Sequence, residues 1–201
     1  MTDQGPRTGP ERATPAVPHD VLSCREPCRV PADGVGLRPW DPADAPAVRD
    51  AFAEPGIAAW RARQPDEQSD EPDAWIRRWH TWWTEGTDAG WAVTQPGDEE
   101  AQGYVGLRRI RPFDASAELS YWMLPEARGG GLARRAAVAA TRWAFDDLGL
   151  HRVWLVHAVT NVRACAVASG AGFRAEGTSR GYLRMPDGWQ DAHLHARLAS
   201  D

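Results

Sequence analysis

"EARGGGLARRAA", residues 126–137, joins two stretches of opposite character. Before it lies "AELSYWML" (117–124), an apolar run that reads as a strand and is closed by Pro125, which removes a backbone donor. After it, Leu132, Ala136, Ala139, Trp143 and Leu148 recur at the spacing of one helix face, and Gly149 supplies a stop. The spacing predicts a helix over about 131–148. Three glycines, poor helix formers, therefore stand at a helix mouth.

A helix N-terminus presents unpaired N–H groups and the positive end of the helix dipole, and together these bind anions, phosphates above all. A Cβ there would hold a phosphate off the backbone; glycine has none. Strand, proline, glycine-rich turn and helix read as a pyrophosphate cradle, with Arg128 placed to add a charge-assisted contact at its rim. The pattern is not a P-loop, because no Lys followed by Ser or Thr comes after the last glycine. It is not the Rossmann fingerprint either, since the preceding strands look antiparallel. A turn that holds no ligand would use the same glycines.

The elements on either side set a mixed α/β order. Residues 1–33 are rich in Pro, Gly and charge without periodicity and read as a disordered leader, with one domain over 34–201. "GVGLRPW" (34–40) begins order as a short strand. Asp41 and Pro42 suit the start of a helix over 41–54. A polar, acidic loop, "ARQPDEQSDEP" (62–72), precedes a second helix, about 73–85, for which Asp73 is a plausible cap. Trp75, Trp79, Trp82 and Trp83 lie on it at spacings of 3 and 4, either as a packing face or as the wall of a substrate pocket.

Strands follow at 90–95, 103–110 and 117–124. Beyond the central helix, "HRVWLVHAV" (151–159) is nearly all apolar, as in a strand covered on both faces. A short helix over 162–170 and a hairpin, 173–185 with 188–199 around "PDG", complete the chain.

Composition bounds the function. The 201 residues carry a formal net charge of −5, which argues against nucleic acid or an anionic membrane as partner. There is no run long and apolar enough to span a bilayer and no signal-peptide core, so the expected compartment is the cytoplasm. Cys24, Cys28 and Cys165 make no disulfide framework; the first two read as reduced thiols in a flexible tail and Cys165 as a small buried hydrophobe. His193 and His195, two apart in a closing strand, share a face; they read as ordinary strand histidines, as does His157 near the expected cofactor gap. The reading assigns no metal.

Two motifs then carry a specific likeness. Arg128–Gly129–Gly130–Gly131–Leu132–Ala133 resembles the R/Q-x-x-G-x-G/A signature of the GNAT superfamily of N-acetyltransferases. "ELSYWMLPEARGGGLARRA" and, downstream, "NVRACAVASGAGFRAEG" resemble the RimJ/RimL-type branch, with the separation of Asn161 from Gly172–Phe173 that the branch shows. The likeness covers roughly 35–199. It implies the GNAT fold: a twisted, mixed, mostly antiparallel sheet of about seven strands flanked by about four helices.

It implies as well that the chain binds acetyl-CoA as co-substrate and passes acetyl to an amine acceptor, a protein N-terminal amine or a small-molecule amine, as a monomer or homodimer. The backbone of Met123 and Leu124 would pair with the pantetheine arm and donate to the oxyanion. The amides of Arg128, Gly129, Gly130, Gly131, Leu132 and Ala133 would hold the pyrophosphate. Asn161 would touch the pantetheine or cap the next helix, and Glu118 is the candidate base or amine-orienting group. The sequence departs from the family where a hydroxyl would protonate the thiolate: Ala168 stands for its tyrosine and Ala164 for its serine. Tyr121, Tyr182 and water are left for that task. A GNAT module that binds acyl-CoA without turnover is the alternative.

Overall fold

A computed structural model describes residues 13–62 and 71–201. Seven strands form one sheet: β1 (Gly36–Arg38), β2 (Ala89–Thr94), β3 (Gly103–Arg111), β4 (Ser116–Met123), β5 (Arg152–Ala158), β6 (Arg174–Met185) and β7 (Gly188–Leu198). Their order is β1-β2-β3-β4-β5-β7-β6. β4 and β5 run parallel and the other neighbours antiparallel, as expected of this mixed sheet.

Among the described residues five helices flank it: α1 (Ala45–Ala53), α2 (Pro55–Arg61), α3 (Pro72–Glu85), α4 (Leu132–Asp146) and α5 (Val162–Gly170). The sequence suggested about four. The additional one is α2, whose Pro-Gly start looks like a breaker. Pro55 instead takes the first helical position, where its missing N–H costs nothing, and Glu54 caps the Ile57 N–H at 2.7 Å. Asp41 caps as expected, but it caps a 3-10 turn, Pro42–Asp44, ahead of α1. Asp73 is not the cap of α3; Glu71 holds that position, and Asp73 lies in the first turn, where its charge faces the positive helix end.

Helix α4 lays its apolar stripe on the sheet. Leu132, Ala136, Ala139, Trp143 and Leu148 are all buried there, with Ala117, Leu119 and Met123 of β4 in the same cluster. The other face of β4 meets the aromatic helix. Trp75 and Trp79 of α3 pack with Trp40 and Tyr104, and Trp122 of β4 lies 6.2 Å from Trp75. Trp83 instead reaches the first cluster, edge-on to Trp91 at 5.7 Å. The tryptophan periodicity thus serves packing.

The leader expectation needs correction for residues 13–33. Leu22 is fully buried, and Val17 and Val30 join the main core. Two buried indoles take their acceptors from this segment: Trp83 Nε1 donates to Arg25 O at 2.7 Å, and Trp91 Nε1 to Cys28 O at 2.9 Å. Buried N–H groups need partners, and an aperiodic chain supplies carbonyls as well as a helix does. Residues 1–12 and most of the acidic loop, 63–70, lie outside the described residues.

The strand at 151–159 also differs. Val153, Leu155 and His157 are buried while Arg152, Trp154 and Val156 are half-buried, so one face is covered more fully than the other. It pairs antiparallel with β7 along its length and parallel with β4 over three residues.

Candidate functional site

That short pairing makes the site. β4 and β5 are matched at Ser116↔Arg152, Ala117↔Val153 and Glu118↔Trp154. Beyond Glu118 they diverge, and a wedge opens in the middle of the sheet toward the end of β4. Leu124 N–H donates to Gln102 O at 2.9 Å on the β3 side. Strand alternation then turns the N–H and C=O of Met123 to the opposite edge, into the wedge. Arg128 Nε covers that Met123 carbonyl at 3.0 Å. Met123 therefore offers its N–H to the gap. Leu124 does not: its N–H is committed to Gln102 and its carbonyl to Ala127.

The glycine turn stands at the wide end of this wedge. Gly129 and Gly131 have φ of +91° and +75°, a conformation glycine adopts without steric penalty. Gly131 is the N-cap of α4 and offers no side chain to its first-turn N–H groups. A Cβ built on Gly129 or Gly130 would meet nothing within 4 Å, so the space above this backbone is open. Arg135 braces the turn from behind, donating to Gly130 O at 2.9 Å and to Gly34 O at 2.7 Å. The side chain of Leu132 anchors the first turn in the core, and Ala133 is half-buried beside it.

Arg128 departs from its expected part. Its N–H donates to Pro125 O at 3.2 Å, so the open amides begin at Gly129. Its guanidinium lies between the Met123 carbonyl and Glu54 Oε1, 3.2 Å away. Burial pulls the Glu54 carboxyl upward, but the hydrogen bonds from Arg128 and the Ile57 N–H outweigh it and hold its pKa below the ordinary value. An uncapped helix start, open space over two glycines and a strand edge with one available N–H form a continuous anion-and-amide surface. A diphosphate joined to an extended amide chain fits that donor set.

The match to known proteins agrees. An acetyltransferase (GNAT) domain model matches residues 35–174. The chain belongs to the GNAT acetyltransferase family. YdaF of Bacillus subtilis is 28% identical over 138 residues, 69% of this chain and 64% of that protein. The ribosomal-protein-serine acetyltransferase of Escherichia coli is 28% identical over 101 residues, 50% of this chain and 56% of that protein. This GNAT chain thus spans less than two thirds of the length of those two relatives. Among solved structures, RimJ of Mycobacterium smegmatis in complex with CoA-disulfide superposes with a TM-score of 0.71 at 26% identity, covering 87% of each chain.

The remaining candidates fall on two sides of the GNAT wedge. Asn161 caps α5, its Oδ1 accepting the Ala164 N–H at 3.0 Å. Ala168 is buried in the core and Ala164 half-buried, so neither family hydroxyl has a polar replacement on that helix face. Tyr182 is 52% exposed on β6. Tyr121, on the α4 side of β4, has a buried hydroxyl without a hydrogen-bond partner. Burial, and the charge Cys165 would carry nearby, push its pKa well above the ordinary tyrosine value.

Glu118 points to the other face, where Ser120 Oγ meets Tyr104 Oη at 2.8 Å and Trp122 packs on Ile57 and Leu124. Glu118 is nearly buried and ion-paired with Arg109. Sequence reasoning missed Arg109. It sits at a bulge in β3, where the register with β4 shifts between Arg108 and Arg111, and its φ is +51°. Bulges re-aim side chains, and no periodicity in the sequence announces one. Its guanidinium also lies 5.5 Å from the Trp154 ring. Trp60 of α2 packs against the cluster of Ala158, Leu183 and Ala192, and Ile57 clusters with Leu124, so α2 reaches from the end of β4 to β5.

A shallow cavity of about 610 Å³ lies elsewhere, beside the buried Arg38–Asp44 pair and Trp40. Arg29, Asp41, Glu99 and Glu100 also line it. Cys24 and Cys28 are free thiols and gather no third metal-ligating side chain among the described residues.

Proposed function

We propose that this chain transfers the acetyl group of acetyl-CoA to the N-terminal amine of a protein by direct attack in a ternary complex. The observation that carries the proposal is the wedge between β4 and β5 running into the open, glycine-lined start of α4. The amides of Gly129 to Ala133 receive the pyrophosphate, and Met123 N–H takes a carbonyl of the extended arm or the developing oxyanion. Asn161, beyond its capping role, borders the pantetheine.

The amine comes from the α2 and α3 side, and Glu118 orients it. Arg109, with its side chain 58% exposed, can be displaced by the incoming cationic group without loss of buried contacts. The ammonium first gives a proton to Glu118 or water; the neutral amine nitrogen then attacks the thioester carbon, the carbon–sulfur bond breaks, and the second proton leaves the new amide nitrogen for water. Tyr121 supports the departing thiolate. Because its pKa is raised, it serves as a hydrogen-bond donor that keeps its own proton, and the thiolate, with an ordinary pKa near 8.5, is protonated from solvent.

Among the described residues no helix is long and apolar enough to cross a membrane. We place the chain in the cytoplasm, as monomer or homodimer, and its net charge of −5 argues against nucleic acid or an anionic membrane as partner. The relative named a ribosomal-protein-serine acetyltransferase supports a protein acceptor. The alternative, an acyl-CoA-binding module without turnover, draws support from Ala164 and Ala168.

Incubation with isotope-labelled acetyl-CoA and a panel of peptides with free N-termini, beside a polyamine arm, separates these readings by mass spectrometry. Label on peptide N-termini is expected. Label on the polyamine alone would replace the acceptor, and binding without any transfer would leave the module.

A further inference from the structure

His157, Cys165, His193 and His195 come together on the α5 side of the sheet. His157 and His193 are register partners across β5 and β7, and His195 follows two residues along the same face. Cys165 descends from α5 onto them. One ligand-competent atom from each of the four lies within 4.8 Å of the others. His157 Nε2 and His195 Nε2 are 3.2 Å apart, and Cys165 Sγ is 3.9 Å from His195 Nε2. In a tetrahedral zinc site with metal–nitrogen bonds of about 2.0–2.1 Å and a metal–sulfur bond of about 2.3 Å, ligand atoms stand roughly 3.3–3.7 Å apart. We infer that these four side chains, one thiolate and three imidazoles, form a tetrahedral site for a divalent transition metal, zinc by its ligand set, which staples α5 to β5 and β7.

The hydrogen bonds of the cluster favour this over a packed set of histidines. His157 Nδ1 faces the Ala158 carbonyl at 2.9 Å, which places the ring proton on Nδ1 and leaves Nε2 as a lone-pair donor. Two imidazole nitrogens at 3.2 Å need one proton between them, so the metal-free His195 carries its proton on Nε2. Its buried Nδ1 then has no hydrogen-bond partner, although the Phe173 backbone approaches the ring. Metal binding reverses that tautomer. Nε2 of His195 joins the metal, the proton moves to Nδ1 toward Phe173, and the Cys165 thiol releases its proton to solvent as it becomes the thiolate ligand.

A thiolate with three imidazoles suits zinc better than calcium or magnesium, which take oxygen ligands. Four protein ligands close the coordination shell, which marks a structural site and not a catalytic one. The inference does not depend on the acetyl-transfer reading. Its structural consequence is to fix α5, whose first residue is capped by Asn161.

The test uses the full chain, chelator-treated and without an affinity tag, titrated with cobalt(II) and with zinc(II). One cobalt per chain is expected, with the intense visible absorption of a tetrahedral ion and a near-ultraviolet sulfur-to-metal charge-transfer band. Zinc should displace it stoichiometrically. At a hundredfold excess of zinc over Kd, Tm should rise by about 5–10 °C. The charge-transfer band should vanish in Cys165→Ser and persist in Cys24→Ser/Cys28→Ser, and His193→Gln should weaken cobalt binding at least 10-fold. Circular dichroism establishes that the variants fold. An octahedral spectrum, no binding, or an unchanged band in folded Cys165→Ser would overturn the site.

Discussion

Arg128 Nε donates to the Met123 carbonyl at 3.0 Å, and the same guanidinium reaches Glu54 Oε1 at 3.2 Å. One side chain thereby closes the corner between β4 and the glycine turn and ties it to the cap of α2. It acts on the cradle by holding its walls. In Arg128→Gln we expect a loss of about 1–2 kcal/mol in stability, from charge-assisted hydrogen bonds at a partly exposed site, measured by chemical denaturation. The KM for acetyl-CoA should rise with kcat little changed, because the variant loosens the corner without touching the reacting atoms.

Gly130 tests the cradle more cleanly than Gly131. A Cβ on Gly131 would sit at positive φ and 3.3 Å from Arg135 Nη1, so any substitution there disturbs the fold as well as the ligand. At Gly130 the space is open and no positive φ is required. Gly130→Asp should leave Tm within about 2 °C, a surface-sized effect, while the carboxylate lowers acetyl-CoA affinity at least about tenfold by repelling phosphate. Calorimetric titration reads the affinity; unchanged binding would remove the pyrophosphate from this turn.

Tyr121 separates the role of a buried hydroxyl from packing. Tyr121→Phe keeps the ring and removes an oxygen that has no partner in the protein, so Tm should hold or rise slightly. If the hydroxyl supports the leaving thiolate, kcat should fall by about 10–100-fold, the scale of one transition-state hydrogen bond, at unchanged acetyl-CoA affinity. Steady-state kinetics with a peptide acceptor gives both numbers.

Leu22 lies in a stretch whose composition reads as a leader, yet it is fully buried. Leu22→Ala should cost about 2–5 kcal/mol, the range for a core leucine. Thermal unfolding should show Tm lowered by about 5–15 °C at this chain length. A change within error would mean that residues 13–33 do not pack on the domain in solution.

The histidine cluster sets a pH window in the metal-free chain. His157 is depressed in the folded state by burial, first of all, and by His193, and His195 by burial, His157 and His193, while Cys165 faces them from α5. Unfolding restores the ordinary value near 6.5, so the unfolded chain binds more protons below it. Stability is then complete above about pH 6.5 and falls as pH drops through the window toward the lowered folded values. Thermal unfolding between about pH 5 and 8 should show this fall, reduced in His195→Gln.

How far the sequence reaches can be seen in the glycine turn. Pro125, three glycines and the apolar period from Leu132 to Leu148 act over one or two turns of chain, and such local propensities survive in any context. The start of α4 was legible from them, and the succession of strands and helices, the cap at Asn161 and the tryptophan face of α3 were legible from local patterns of their own. Arg109 was not, because a bulge is a mismatch between two strands and belongs to neither sequence alone. The packing of Leu22 was not, because it answers the needs of Trp83 and Trp91, far along the chain.

Sequence by itself determined that a helix with a bare N-terminus follows a strand, and that two family hydroxyls are missing at Ala164 and Ala168. Tertiary structure decided which backbone groups are available: hydrogen bonds to Gln102 and Pro125 take Leu124 and Arg128 out of the cradle and leave Met123 and the glycines. It also brought His157, Cys165, His193 and His195 within 4.8 Å of one another. Spacing along a chain fixes neighbours on one element; side chains from β5, α5 and β7 meet because burying their apolar faces against a common core brings those elements together.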